Sequence, residues 1–190
     1  MQTLIIACGA LAREVLALIE LNSWQHMELI CLPADLHLRP ERIPDAVEAA
    51  VAAAGGKYQH IFVAYADCGT GGLLAARCEK LGVEMIAGPH CYSFFEGNEA
   101  FSARGEVTSF YLTDFLARQF EAFVWRPMGL DEHPELRDLY FGNYEKLVFL
   151  AQTEDEGLTQ AAQAAAQKLG LDFERRFTGY GDLETALTDN

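Results

Sequence analysis

The chain predicts an α/β fold: a doubly wound, mostly parallel sheet of about six strands, with a helical insert after the fourth strand. Three observations predict it. Short apolar, β-branched runs alternate with segments whose apolar residues recur at helical spacing. Most of those runs are continuously apolar, as strands buried on both faces are. Apolar residues make up 51% of the 190, enough for a sizeable core. The layering expected is Rossmann-like, in a single domain of residues 1–190.

Taken in order, "QTLIIAC" reads as the first strand and "GALAREVLALIELN" as the first helix. "MELICL" is the second strand. "PADLHLRPERIP" holds three prolines and reads as a loop. "DAVEAAVAAAGG" is a helix with Asp45 at its N-cap and Gly55 as its stop. "HIFVAYA" is the third strand, "TGGLLAARCEKLG" a helix and "VEMIAG" the fourth strand. The aromatic stretch at about 92–142 reads as the helical insert, a cap or partner surface. "KLVFLAQ" is the fifth strand, followed by a helix with Thr153 and Glu156 at capping-box spacing. "DFERRFTG" is the sixth strand, with Arg175 and Arg176 pointing to opposite faces and one of them placed to pair with a buried acid. "GDLETALTD" is a closing helix.

The formal net charge of −14 argues against nucleic acid and anionic membranes, whose binding needs clustered Lys and Arg. No apolar run approaches the ~18 residues of a membrane span. The N-terminus lacks the basic start of a signal peptide, so a cytoplasmic location is expected.

The five cysteines contain no C-x-x-C pair, which removes zinc ribbons and thioredoxin-type motifs. In a reducing compartment they are not expected to form structural disulfides. Cys8, Cys31, Cys68 and Cys91 each fall at or just after a strand end. In a parallel sheet these ends share one edge, where doubly wound folds bind ligands. If the order is 2-1-3-4-5, strands one, three and four are neighbours ~4.8 Å apart. Cys8, Cys68 and Cys91 then lie together and Cys31 lies to the outer side. Helix starts beside Cys8 and Cys68 predict lowered thiol pKa values. Three thiols with no fixed fourth partner suit zinc with an open position or an iron–sulfur cluster with one free iron. The alternative is that strand ends accept cysteine as a small apolar residue. Cys78, inside a helix, reads that way.

"YADCGTGG" admits three explanations: a phosphate loop, a thiol or metal site, or turn chemistry. It is no Walker A loop, because no Lys follows the glycines. Backbone N–H groups of Gly69, Thr70, Gly71 and Gly72 could still hold an anion at a helix start. Asp67 is placed to orient a ligand or shuttle a proton. His90, beside Cys91, is a candidate ligand or proton carrier. Tyr180, between two glycines, is a candidate cover for a ligand. His37 reads as a residue fixing its proline-rich loop, His133 as a helix cap, and His26 and His60 as surface residues.

The strings "ACGALARE", "CLPADLHLRP", "FVAYADCGTGGLL", "GPHCYSFF", "FYLTDF", "HPELRDLYFGNY", "LAQTED" and "FTGYGDL" together resemble domain-of-unknown-function family 1638. The resemblance implies no defined activity. Members tend to be encoded near corrinoid-dependent methyltransferases and their activation proteins, which implies a role in methyl-group or one-carbon metabolism. It also supports Cys8, Cys68, His90 and Cys91 as candidate site residues.

The expected function is therefore a metal–thiolate protein. Cys8, Cys68 and Cys91 bind zinc or an iron–sulfur cluster, and a small anionic molecule is the substrate. If it is an enzyme, a metal-dependent transferase or lyase fits. The alternative is a non-catalytic accessory protein that binds a corrinoid protein or methyltransferase through Phe94, Phe95, Tyr111, Trp125 and Tyr140.

Overall fold

In the computed structural model, which describes residues 2–190, the strands form two parallel sheets. The strands are β1 (Thr3–Cys8), β2 (Met27–Leu32), β3 (His60–Ala64), β4 (Glu84–Met85), β5 (Ser109–Leu112), β6 (Lys146–Ala151) and β7 (Asp172–Phe177). The helices are α1 (Ala12–Leu21), α2 (Ile43–Ala54), α3 (Leu73–Leu81), α4 (Cys91–Glu96), α5 (Asn98–Arg104), α6 (Asp114–Arg118), α7 (Leu136–Phe141), α8 (Glu156–Leu169) and α9 (Asp182–Thr188). One sheet has the order β2-β1-β3-β4, the other β5-β6-β7. Two compact units hold them: residues up to Asn98 with Tyr180–Asn190, and Glu99–Gly179.

The α/β class with parallel pairing is as the apolar runs predict. The sheet differs from the expected one of about six strands. β5 lies inside the segment read as helical, where Ser109, Tyr111 and Leu112 are buried. Its four residues pair in parallel with Lys146–Phe149 of β6. The strand is short and runs into α6 after one residue, so no turn signal marks its end.

In the first unit β1 is central, paired on either side in parallel with β2 and β3. All of Thr3–Cys8 is buried. Ile5 and Ala7 join a core with Val15 and Leu18 of α1 and Leu183 and Leu187 of α9. Leu4 and Ile6 pack with Ala54 of α2. Complete burial of such side chains stabilises by about 1.5–3 kcal/mol each, which fixes β1 and hence the position of its last residue, Cys8.

In the second unit Leu112, Leu147, Phe149 and Ala151 pack with Leu158, Ala162 and Ala166 of α8. A π-helical turn, Glu121–Trp125, follows α6. Two local expectations change. The cap of α8 is Asp155, whose carboxylate accepts from Leu158 N–H, while Thr153 turns to Asp114 instead. Asp45 lies in the first turn of α2 beside Pro44, not at its N-cap. Gly55 does end α2, in the left-handed conformation. No helix among the described residues is long and apolar enough to cross a membrane.

Candidate functional site

The carboxyl ends of β1, β2, β3 and β4 deliver four loops to one edge of the first sheet. Short contacts tie each loop to the next. A Cβ on Gly9 would lie 3.0 Å from Leu32 O, so glycine there lets the end of β1 approach the end of β2. The loop after β2 carries Pro40, whose side chain abuts Gly69 of the loop after β3. Asp67 N–H donates to Gly88 O (3.0 Å) and Cys68 N–H to Pro89 O (2.8 Å), joining the loops after β3 and β4.

Three candidate thiols meet here. Cys8 is 2% exposed and ends β1; its sulfur accepts from Ala10 N–H at 3.3 Å. Cys68 and Cys91 are half-buried. The three sulfurs lie near enough for the charge of each thiolate to oppose ionisation of another. Burial raises all three first; the Cys8 charge then adds to the rise at Cys68, the Cys68 and Cys8 charges to that at Cys91, and Cys31 and Glu14 to that at Cys8. The Cys8 thiol is pushed up to about 11 and Cys68 to about 12, with Cys91 well above its ordinary value. This corrects the expectation of lowered values: desolvation of a buried thiolate outweighs the helix-start dipoles. A bound cation would reverse the sign, since a coordinating thiol is deprotonated outright.

Two further residues belong to the cluster and were passed over as site residues in the sequence reading. His37 Nε2 lies 3.0 Å from Cys8 Sγ. Its ring stacks on Tyr65, with centroids 6.4 Å apart and planes at 27°. Tyr65, 1% exposed, directs its hydroxyl to Cys8, and that oxygen finds no nitrogen or oxygen partner among the described residues. The exposed Cys31 is close enough for its charge to act on Cys8 and Tyr65.

The "DCGTGG" turn is explained by its own hydrogen bonds. Asp67 accepts from Thr70 Oγ1 (2.7 Å), Gly71 N–H (3.0 Å) and Gly72 N–H (2.7 Å), with Gly69 N–H contributing. These bonds hold its carboxyl below the usual range, the Thr70 hydroxyl being the largest cause. The amides expected to hold an anion are thus engaged by the chain's own carboxylate. Gly69, Gly71 and Gly72 all have positive φ, which the turn requires. Cys68 shares that region at φ +51, a conformation costing a non-glycine residue about 1–2 kcal/mol. Strain of this kind persists where the surroundings impose it and often marks function.

His90 caps α4 without a side-chain capping bond, and its ring lies against Tyr92 (4.7 Å). Burial keeps it neutral-leaning, its pKa below the ordinary value. Tyr180 packs half-buried on the first unit's core. Beside it Gly181 is obligatory: a Cβ there would overlap the carbonyl oxygens of Phe94 and Phe95.

The donor types suit a thiophilic metal: three clustered thiols and an imidazole. Their spacing is looser than a formed coordination sphere. Among the described residues no three His, Cys, Asp or Glu side chains stand together closely enough to hold a metal ion.

Fold and edge together define an α/β protein with a buried thiol cluster at the carboxyl end of its first sheet. The chain belongs to the family described as "Protein of unknown function (DUF1638)", whose model matches residues 31–187. The match takes in His37, Tyr65, Cys68 and Cys91 and begins after Cys8. No curated protein and no solved structure matches the chain.

Proposed function

We propose that the protein is a metal–thiolate protein in which Cys8, Cys68 and Cys91 bind zinc or an iron–sulfur cluster. Its substrate in this reading is a small anionic molecule of methyl-group or one-carbon metabolism. One observation supports it above the others: Cys8 at the end of β1, Cys68 after β3 and Cys91 at the start of α4 lie near enough for their charges to act on one another. When bound, the metal supplies a Lewis acid that keeps a thiol or substrate group anionic at neutral pH.

The chain's own residues do the rest. Cys8, at the buried end of β1, excludes water from the cluster floor. Asp67 holds the turn that presents Cys68. The Tyr65 hydroxyl is the nearest donor for an anionic group, and Gly69–Gly72 contribute amides only where the anion displaces Asp67. His90, beside Cys91, is the proton carrier.

Anaerobic purification followed by a visible spectrum and elemental analysis tests the reading. Brown colour or stoichiometric zinc is expected. Neither metal, with Cys8→Ala, Cys68→Ala and Cys91→Ala leaving stability unchanged, overturns it. The alternative of an accessory protein docking a corrinoid protein or methyltransferase has less surface to use. Phe94, Phe95, Tyr111 and Trp125 are buried, leaving Tyr140, beside exposed Leu139. A pull-down from cells growing on methylated amines that returns no methyltransferase component counts against it.

A further inference from the structure

The geometry points to His37 as the positioning residue of Cys8: its Nε2–H donates to the Cys8 sulfur and fixes the direction in which that sulfur presents a thiolate. Where a metal is involved, this rests on the metal–thiolate reading. The Nε2–Sγ distance, 3.0 Å, separates two roles. Two ligands of one tetrahedral zinc, a sulfur at ~2.3 Å and a nitrogen at ~2.0–2.1 Å, stand about 3.5 Å apart. A separation of 3.0 Å is instead that of a hydrogen bond, the outer-shell contact that orients a ligand.

The fold prepares this contact from several directions. The loop after β2 is wound into consecutive turns, closed by Leu36 N–H to Pro33 O (3.2 Å), Arg39 N–H to Leu36 O (2.9 Å) and Arg42 N–H to Arg39 O (3.0 Å). Pro40 of that loop lies close to Gly69, next to Cys68: a Cβ on Gly69 would meet its ring at 3.7 Å. The Tyr65 ring stacks on the imidazole and fixes its plane.

The test uses the full chain, as purified and after exchange into cobalt(II). His37→Phe keeps a ring without an N–H; His37→Gln keeps an N–H donor; His133→Phe, outside the site, is the comparison. The expected result is a shifted sulfur-to-cobalt absorption band and cobalt affinity lowered about 10- to 100-fold in His37→Phe, as loss of an outer-shell partner gives. His37→Gln recovers most of both, and His133→Phe leaves the band in place. In nitrogen-15 spectra the His37 ring holds a single tautomer that Cys8→Ala turns into an averaged signal. An unchanged band and affinity in His37→Phe, with a His37 tautomer indifferent to Cys8→Ala, overturns the inference. If the unmodified chain takes up no cobalt, the metal reading falls, and the response of the His37 tautomer to Cys8→Ala alone upholds or overturns the pair.

Discussion

The two sheets are both parallel, and their carboxyl edges are finished in opposite ways. At the end of the second sheet, Asp114 is 1% exposed and fully engaged. It accepts from Gln152 N–H (3.0 Å) and Thr153 Oγ1 (2.5 Å), and its own N–H donates to Gln152 Oε1 (2.7 Å). Gln152 Nε2 then donates to Leu150 O (2.6 Å). At the end of the first sheet stand thiols whose ionisation burial opposes, a cysteine with left-handed backbone and a tyrosine hydroxyl with no oxygen or nitrogen partner among the described residues. A satisfied network closes one edge; the other holds polar groups at a cost. Burial of unpaired groups and backbone strain persist where something besides stability is selected. The first edge is therefore the place to seek function, and the second shows how the same architecture looks when it only has to hold together.

The largest expected effect tests the second edge. Asp114→Ala leaves the Gln152 N–H and the Thr153 hydroxyl unmet and should cost about 2–4 kcal/mol, at about 1–3 kcal/mol per buried unpaired group less the relief of a buried carboxyl. Urea denaturation measures it; a change under ~0.5 kcal/mol, the range of ordinary surface substitutions, would make the network incidental.

A second test uses pH. Glu174, held by Arg176 first and Lys146 second, has its pKa lowered to about 2. Its folded value lies below the ordinary ~4.3 of an unfolded chain, so it contributes stability above that value. The contribution is lost as pH falls from about 4.3 toward 2. Glu174→Gln should flatten the acid limb of a stability–pH profile, and added salt should do so partly, because the pair is partly exposed. An acid limb unchanged by the substitution would refute the assignment.

Smaller effects sharpen the first edge. Compared in metal-free chains, Cys68→Gly should stabilise by up to ~1 kcal/mol, since glycine adopts φ +51 without strain but loses some chain entropy in folding. Cys68→Ala should bring no such gain. Equal stabilities for the two would mean that the backbone at this position stores no strain. Smallest is Tyr65→Phe, expected to lie between neutral and ~1 kcal/mol stabilising, because it removes a buried hydroxyl without a good partner. A loss above 1 kcal/mol would show that the hydroxyl is engaged after all.

What could be read from the chain follows the same division. Short, mostly apolar runs located β1, β2, β3 and β6, and the strand ends put Cys8, Cys68 and Cys91 on one edge. The pairing β2-β1-β3-β4 is the order under which those thiols adjoin. β5 escaped because Ser109–Leu112 is four residues long and set among aromatics that read equally well as helix. The partition into two sheets is decided by which strands pair, and no local pattern carries that. His37 escaped for a related reason: it is 29 residues from Cys8, between prolines that read as a plain loop. The direction of the thiol shifts was misjudged because a helix start is visible in sequence and desolvation is not. The role of Asp67 was within reach, since Asp before Gly, Thr and Gly is a turn signature in its own right.

The most direct test is the metal content of Cys68→Gly beside that of the unmodified chain. The expected variant has lost the zinc or iron that the parent carries, while its metal-free form is at least as stable as the metal-free parent. A variant that keeps the parent's full metal complement, or a parent that carries none after anaerobic purification, would contradict it.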